Sequence, residues 1–314
     1  MKKVLIIGVS GQDGSYLSQH ILSKKKYQVY GIVRKKNNKN LNKLKLIKKI
    51  KLINIKRLNE VNLKKILNIN FEIIYFCGGQ SNIQESFNKK ESETYDSQIK
   101  PLVVILEHIR LKNKKTKLVN FSSAEIFGDH KKKKIQENDL KKPLSPYALA
   151  KLAGFQIVKS YREMFNLKLF NIIFFNHESP LRNEKFVIKK VINSVKRIKN
   201  KKDKIFLGNI NVKRDWGWAP EYMAGCLKIS KSNKYGDYII ATGQSNSLRS
   251  VIRKILSKKN LNFKDHIRFK SKNLRKLNIK ENYANINKIK RVFNWKPIKG
   301  IDSIIDEIYQ EKVS

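Results

Sequence analysis

The sequence predicts an α/β protein in which helices cover both faces of a doubly wound parallel sheet. Three observations predict this class. Apolar runs of strand length alternate with helical patterns through residues 1–175, which is typical of strands joined by helical crossovers. The first strand ends in a glycine-rich turn that leads directly into a helix. Small or polar residues then follow later strands, at the edge where such sheets bind ligands.

The first strand and its turn form the most specific motif. Residues 3–8 are mostly apolar, and the spacing Gly-x-x-Gly-x-x-Gly leads into the helical pattern Ser-Tyr-Leu-Ser-Gln-His-Ile-Leu. Glycines let the backbone approach a pyrophosphate, and a helix N-terminus favours its negative charge. The motif predicts a Rossmann-type dinucleotide site. Its expected cofactor contacts are Gly8, Ser10, Gly11, Gln12, Asp13 and Gly14.

The end of the second strand predicts which dinucleotide is bound. Residues 28–33 read as a strand and are followed by Arg34 and Lys35. An acidic residue there would bind the ribose hydroxyls of NAD, whereas a basic residue accommodates the 2′-phosphate of NADP. We therefore expect Arg34 and Lys35 to bind NADP rather than NAD. The alternative is that both belong to another surface run of charge.

The remaining periodicity predicts the other elements. Residues 36–50 read as a polar loop or short helix, and a long helix over 93–112 is expected to bend at Pro101, whose ring interrupts helical hydrogen bonding. The other predicted strands are 51–55, 72–76, 117–122, 167–174 and 238–241. The other predicted helices are 60–67, 146–165, 185–199, 219–231, 247–258 and 302–311.

Small residues after the fourth strand extend the predicted site. The expected cofactor contacts there are Cys77, Gly78, Gly79, Gln80 and Ser81. The glycine turn, this segment and Ser123 all fall at carboxyl ends of predicted strands. Because these ends meet at one edge of a parallel sheet, we expect them to form one site.

The chain is predicted to divide into two parts. Residues 1–175 form the dinucleotide-binding domain, and residues 176–314 form mainly a smaller substrate-binding lobe. No linker rich in proline, glycine or serine separates them. We therefore expect an interwoven C-terminal lobe, with some of its segments returning to the first domain.

A second motif predicts the chemistry. Tyr147 and Lys151 are four residues apart and share one face of a predicted helix. A cation one turn away favours the phenolate, so we expect Lys151 to lower the pKa of Tyr147. Ser123 ends a predicted strand and can hydrogen-bond a substrate oxygen, and Glu125 adds a second proton carrier. The alternative for Tyr147 and Lys151 is a solvated helix face.

Composition limits the classes of function. The 314 residues carry 69 Lys and Arg against 25 Asp and Glu, a formal net charge of +44. The cations occupy nearly every segment, so we interpret them as solvated faces with weak attraction for polyanions and not as a specific nucleic-acid site. No apolar run approaches the ~20 residues needed to span a bilayer, and the apolar start is too short for a signal peptide.

The cysteines and histidines predict neither disulfides nor a metal site. Cys77 and Cys226 lie in apolar contexts without metal-type spacing, so we expect reduced thiols in a cytoplasmic protein. The five histidines are scattered, with no pair at ligand spacing.

Longer motifs narrow the interpretation. The Ser…Tyr-x-x-x-Lys set resembles the active site of the extended short-chain dehydrogenase/reductase family, which includes NAD-dependent epimerases and dehydratases. Phe-Asn-His-Glu-Ser-Pro at 175–180, Lys-Arg-Asp-Trp-Gly at 213–217 and Gly-Gln-Asp-Gly-Ser-Tyr-Leu at 11–17 resemble the GDP-mannose 4,6-dehydratase family more narrowly. The resemblance runs from the first strand to Trp295.

The resemblance implies an NADP-dependent hydro-lyase that acts on GDP-mannose and supplies a deoxysugar for surface polysaccharide. Tyr147 would take the proton of the sugar 4-hydroxyl, and Glu125 would take the proton on carbon 5. Water would leave carbon 6 with help from Glu125 or Ser123. Hydride taken from carbon 4 would return to carbon 6. The family also implies a homo-oligomer, either a dimer or a tetramer.

The resemblance assigns further binding roles. Lys151, His177 and Arg182 would contact NADP, although His177 could equally be a core histidine. Residues that match positions binding the GDP-sugar are Ser123, Asn176, Lys190, Arg214 and Arg275. Two alternatives stay open: a dehydratase, epimerase or reductase acting on another nucleotide sugar, and a non-catalytic scaffold or polyanion-binding protein.

Overall fold

The main sheet has seven parallel strands in the order β11-β6-β5-β4-β1-β2-β3. The computed structural model describes residues 1–34, 38–56, 58–87, 91–130, 134–269 and 279–311. The predicted site residues Lys35 and Arg275 lie outside these ranges. The strands are β1 (Lys2–Ile7), β2 (Tyr27–Val33), β3 (Lys51–Asn54), β4 (Ile73–Phe76), β5 (Lys117–Ser123), β6 (Leu169–Phe174), β7 (Asn176–Glu178), β8 (Ile205–Leu207), β9 (Lys213–Arg214), β10 (Trp216–Trp218), β11 (Gly236–Ile240), β12 (Asn246–Ser247), β13 (Ile267–Phe269) and β14 (Glu281–Asn282).

Helices cover both faces of the sheet, as the alternating pattern predicts. In the described ranges, 3₁₀ turns also form at Ile47–Lys49, before β3, and at Ala124–Phe127, after β5. The helices are α1 (Gln12–Leu22), α2 (Lys39–Lys43), α3 (Glu60–Leu67), α4 (Ile83–Ser86), α5 (Glu91–Gln98), α6 (Lys100–Lys112), α7 (Pro146–Phe165), α8 (Val187–Arg197), α9 (Ala219–Lys231), α10 (Leu248–Ser257), α11 (Phe263–His266), α12 (Asn287–Phe293) and α13 (Ile301–Gln310).

The two faces of the sheet belong to separate cores. Along β1, Val4 and Ile6 pack into one cluster with α1 and α9, whereas Leu5 and Ile7 pack into another with α3, α6 and α7. Successive side chains of a strand point to opposite faces, so a strand buried on both faces must be apolar at every position. This explains why the strands read as continuous apolar runs.

The second half of the chain has a core of its own and also returns to the main sheet. Helices α8, α10 and α13 bury apolar faces against Trp216 and Trp218. The edge strand β11 pairs in parallel with β6, and α9 packs on α1. The smaller sheets are β10 with β7, β8 with β13, and the three-stranded β12-β9-β14. Two of the predicted substrate residues, Asn176 and Arg214, lie on these short strands.

The predicted helix over residues 93–112 is two helices. Helix α5 ends at Gln98 and α6 begins at Lys100, so the break falls at Ile99 and not at Pro101. Proline lacks the N–H that would continue the hydrogen-bond ladder, and it is favoured in a first helical turn. Pro101 therefore sits in the first turn of a new helix instead of bending one long helix.

Within the described ranges, no helix is long and apolar enough to cross a membrane. The same ranges contain no group of three or more histidine, cysteine or acidic side chains arranged to hold a metal ion.

Candidate active site

Backbone forms the centre of the dinucleotide loop. Gly8 has φ +93°, and a Cβ there would lie 2.8 Å from the Gly78 nitrogen. A Cβ on Gly14 would lie 2.3 Å from the Gly8 carbonyl oxygen. Helix α1 starts after Gly11, so its first amides face the turn. A loop that only glycine can form, against a helix N-terminus, fits a dinucleotide pyrophosphate.

The segment after β4 lies directly beside this loop. The Cys77 nitrogen donates to the Ile7 carbonyl at 3.1 Å. Gly79 has φ +113°, and the Gln98 side chain donates to the Gln80 carbonyl at 2.8 Å. The structure thus brings residues 77–80 to the glycine turn, whereas Ser81 and Arg34 are exposed at their strand ends.

A buried network ties the loop to β7. His177 Nε2 lies 2.9 Å from Asp13 Oδ1, and its Nδ1 lies 2.7 Å from the Phe175 carbonyl. Ser179 Oγ donates to Gln12 Oε1 at 2.7 Å. Burial opposes the charge of Asp13, but the charge and hydrogen bond of His177 outweigh it, so the pKa of Asp13 lies below its usual value. His177 therefore contacts the cofactor loop itself.

The structure brings the four predicted catalytic side chains together. Ser123 is the last residue of β5, and its Oγ accepts a hydrogen bond from the Glu125 nitrogen at 3.3 Å. The Ser123 hydroxyl also lies close enough to the Tyr147 phenol to lower the pKa of Tyr147. Glu125 is half-buried, and its charge acts on Tyr147. Ser145 caps α7, which places Tyr147 and Lys151 on successive turns facing this group.

The pKa of Tyr147 is raised in this structure, which is opposite to the shift predicted from Lys151. Burial and, to a smaller extent, the charge of Glu125 raise this pKa to about 12, against the lowering effects of Ser123 and Arg182. Lys151 Nζ donates to the Phe121 carbonyl at 2.7 Å and lies 6.0 Å from the centre of the Tyr147 ring. Burial lowers the pKa of Lys151 to about 8, which leaves its ammonium largely protonated at neutral pH.

Arg182 joins this group from the loop after β7. Its guanidinium stacks on Phe186 at 3.5 Å, and its charge lowers the pKa of Tyr147 and of Asp13. Its Nε lies 3.6 Å from Glu178 Oε2, which is too long for a hydrogen bond. Burial raises the pKa of Glu178, against the charge of Arg182. Arg182 is thus placed between the cofactor loop and the phenol.

The predicted substrate residues lie on the short elements of the second half. Asn176 begins β7, and Arg214 ends β9 and is buried. Lys190, on α8, donates to the Phe206 carbonyl at 2.7 Å. The structure places these residues on three elements beyond the main sheet, and their contacts with a substrate stay predictions.

Sequence reasoning missed several buried residues that hold the site. Asp215 accepts hydrogen bonds from the Thr242 nitrogen and hydroxyl and from the Gly243 nitrogen, at 2.5–2.8 Å. Burial nonetheless raises its pKa to about 6. Glu178 and Ser179 were likewise named only as part of a motif. No local pattern marked them, because they stand among other polar residues and their partners are distant in sequence.

The chain is similar in sequence to proteins of a known family. The sequence model of the family described as GDP-mannose 4,6 dehydratase matches residues 5–308. The chain is 30% identical over 325 residues to GDP-mannose 4,6 dehydratase 1 of Arabidopsis thaliana, covering 99% of this chain and 89% of that protein. It is 32% identical over 347 residues to GDP-mannose 4,6 dehydratase of Cricetulus griseus, covering 99% and 91%.

Solved structures share the fold at lower sequence identity. The dTDP-glucose 4,6-dehydratase of Bacillus anthracis, in complex with NAD, superposes with a TM-score of 0.86 at 18% identity, covering 99% of this chain and 96% of that chain. The UDP-glucuronic acid 4-epimerase of Bacillus cereus, in complex with UDP-glucuronic acid and NAD, gives 0.84 at 20%, covering 98% of each. Because the family match spans nearly the whole sequence, the chain belongs to the GDP-mannose 4,6-dehydratase family.

Proposed function

We propose that the protein is a hydro-lyase that converts GDP-mannose to GDP-4-keto-6-deoxymannose. The observation that carries this proposal is the cluster of Ser123, Glu125 and Tyr147 beside the dinucleotide loop. A phenol alone would serve oxidation, but elimination of water also needs a carboxylate next to it, and Glu125 supplies one. The names of the relatives support GDP-mannose as the substrate.

A nicotinamide dinucleotide fits the glycine loop, and we propose NADP. The backbone at Gly8, Gly11 and Gly14 would hold its pyrophosphate, and Arg34 would hold the 2′-phosphate. His177 would fix the loop through Asp13, and Arg182 would add positive charge beside it. A dinucleotide held by these residues would supply the chemistry of hydride acceptance from carbon 4 and hydride return to carbon 6.

Tyr147 is assigned as the base for the sugar 4-hydroxyl. Its raised pKa means that the phenol needs positive charge nearby before it can act at neutral pH. The chain offers Arg182, which lowers the pKa of Tyr147, and Lys151, one turn further along α7. Ser123, whose hydroxyl lowers the pKa of the phenol, would hold the sugar oxygen in place.

Glu125 is assigned the elimination. A ketone at carbon 4 acidifies the proton on carbon 5, and the Glu125 carboxylate would take that proton. The hydroxyl of carbon 6 then leaves as water, with a proton from Glu125 or Ser123. When hydride returns to carbon 6, carbon 5 would regain a proton that Glu125 relays from solvent. Arg214 and Lys190 would hold the diphosphate, and Asn176 would contact the nucleotide sugar. We also propose a cytoplasmic homo-oligomer that supplies a deoxysugar for surface polysaccharide.

Turnover in deuterated water tests this function. The NADP-loaded protein is incubated with GDP-mannose, and the product is analysed by mass spectrometry and NMR. We expect a 4-keto-6-deoxy product with deuterium at carbon 5, because the proton taken by Glu125 exchanges with solvent. Recovery of unchanged GDP-mannose with its carbon 5 proton retained would refute the proposal. Tight, steeply salt-dependent binding of random DNA without NADP binding would favour the scaffold alternative instead.

A further inference from the structure

The small sheet β12-β9-β14 presents one face to the catalytic turn. Arg214 on β9 is paired in register with Asn282 on the parallel strand β14, so both side chains lie on the same face. Asn282 Nδ2 donates to the Ala124 carbonyl at 3.3 Å. Ala124 lies between Ser123 and Glu125. Asn282 therefore sits between the proposed diphosphate contact and the proposed acid–base group.

The Asn282 side chain is held in one orientation. It is 3% exposed, and the Asp215 nitrogen donates to its backbone carbonyl at 3.0 Å. Only the amide nitrogen can donate to the Ala124 carbonyl, so the position of Oδ1 is fixed as well. This oxygen is buried and has no hydrogen-bond partner in the described part of the chain. A buried acceptor without a donor is destabilising, so we expect a bound molecule, either an ordered water or a ligand, to supply the donor.

The chemistry of the proposed substrate limits which donor this is. The oxygen on carbon 1 of the hexose carries the diphosphate, the 4-hydroxyl faces Tyr147, and the 6-hydroxyl leaves beside Glu125. The 2- and 3-hydroxyls of the sugar are the remaining donors between those points. We propose, on the basis of the proposed function, that Asn282 is a specificity-determining residue whose Oδ1 accepts a hydrogen bond from one of these two hydroxyls.

Binding measurements on the NADP-loaded protein test this inference without requiring turnover. The ligands are GDP-mannose and its 2-deoxy and 3-deoxy analogues. Each is titrated calorimetrically into the parent protein and into Asn282→Leu, both carrying Tyr147→Phe so that no reaction heat is released. Loss of one hydrogen bond predicts about tenfold weaker binding of GDP-mannose by the variant. For the analogue that lacks the contacted hydroxyl, parent and variant should bind within about twofold of each other.

Controls separate a direct contact from a disturbed fold. Glu281→Gln changes the neighbouring side chain on the opposite face of β14, and it should leave all three affinities unchanged. Asn282→Ala repeats the cycle with a smaller side chain if the leucine variant loses NADP binding. Equal weakening of all three ligands by both Asn282 variants would overturn the inference, because the residue would then act only through Ala124. Binding of GDP-mannose, with no turnover by the protein that retains Tyr147, would refute the proposed function and leave the inference standing, whereas no binding would overturn both.

Discussion

The dinucleotide side of the site is formed mostly by backbone, whereas the proposed substrate side is formed by side chains on very short strands. Gly8 and Gly14 leave no room for a Cβ, and the strands around them are long and parallel. On the other side, Arg214 and Asn282 project from strands of two residues each. Buried polar groups such as Asp215 hold those strands in place.

This difference explains how each side achieves precision. A backbone site is fixed by steric exclusion, so it is tolerant of most surrounding substitutions but not of an added methyl group. A side-chain site depends on hydrogen bonds between segments that are distant in sequence. Loss of one buried hydrogen-bonding partner therefore disturbs the positions of all the groups bonded to it. Substitutions in the catalytic group (Ser123, Glu125 and Tyr147), in the cofactor loop and in the substrate lobe should therefore impair the protein in different ways.

The largest effect on turnover is expected in the catalytic group, which lies between the cofactor side and the proposed substrate side. Tyr147→Phe should lower turnover by about 100- to 10,000-fold because it removes the group proposed to take the 4-hydroxyl proton. It should also abolish any transient reduced nicotinamide, measured by stopped-flow absorbance. Glu125→Gln should slow release of the dehydrated product similarly, yet it should allow reduced nicotinamide to accumulate.

Both variants should bind NADP as the parent does, which is the control for folding. Unchanged turnover in Tyr147→Phe would remove the phenol from the mechanism. Strong dehydratase activity in Glu125→Gln would transfer the elimination step to another residue.

On the cofactor side, a steric clash is expected to lower both stability and NADP affinity. In Gly14→Ala, the new Cβ would meet the Gly8 carbonyl oxygen at 2.3 Å and the Val9 Cα at 2.7 Å. Because both obstacles are backbone, we expect a loss of about 3 kcal/mol in unfolding free energy and weaker NADP binding. Chemical denaturation and NADP titration measure the two effects.

Gly300→Ala is the matched control, since no heavy atom lies within 4 Å of its added Cβ. Because Gly300 is the N-cap of α13, where alanine is less favourable than glycine, the variant should lose up to about 1 kcal/mol and bind NADP as the parent does. A Gly14→Ala protein that matched the Gly300→Ala variant in stability and NADP affinity would contradict the steric account of the loop.

On the proposed substrate side, loss of buried hydrogen bonds is expected to lower stability and GDP-mannose affinity. Both carboxylate oxygens of Asp215 accept backbone N–H donors, so the amide of Asp215→Asn would set an NH₂ group against one of them. We expect a loss of about 1–3 kcal/mol in unfolding free energy, together with weaker binding of GDP-mannose and nearly unchanged binding of NADP. Denaturation and the two titrations measure this.

Asp302→Asn provides the comparison, because Asp302 is an exposed ion-pair partner of Lys254 and should contribute only about 0–1 kcal/mol. Equal loss of NADP and GDP-mannose affinity in Asp215→Asn would mean that the two sides are not built independently.

The sequence by itself determined the parallel sheet, the glycine turn and the spacing of Tyr147 and Lys151. These features depend on neighbours a few residues away, through steric limits and helical periodicity, so local patterns record them. Even the split between α5 and α6 was marked by Pro101, although its position was misread by two residues.

Only the tertiary structure decided the contacts of His177 with Asp13, of Asn282 with Ala124 and of Asp215 with Thr242. It also decided the direction in which the pKa of Tyr147 shifts, which the spacing of Tyr147 and Lys151 suggested wrongly. Burial and hydrogen bonding between segments up to 164 residues apart set these properties. No local pattern carries them, because the desolvation of a group depends on which distant segments pack around it.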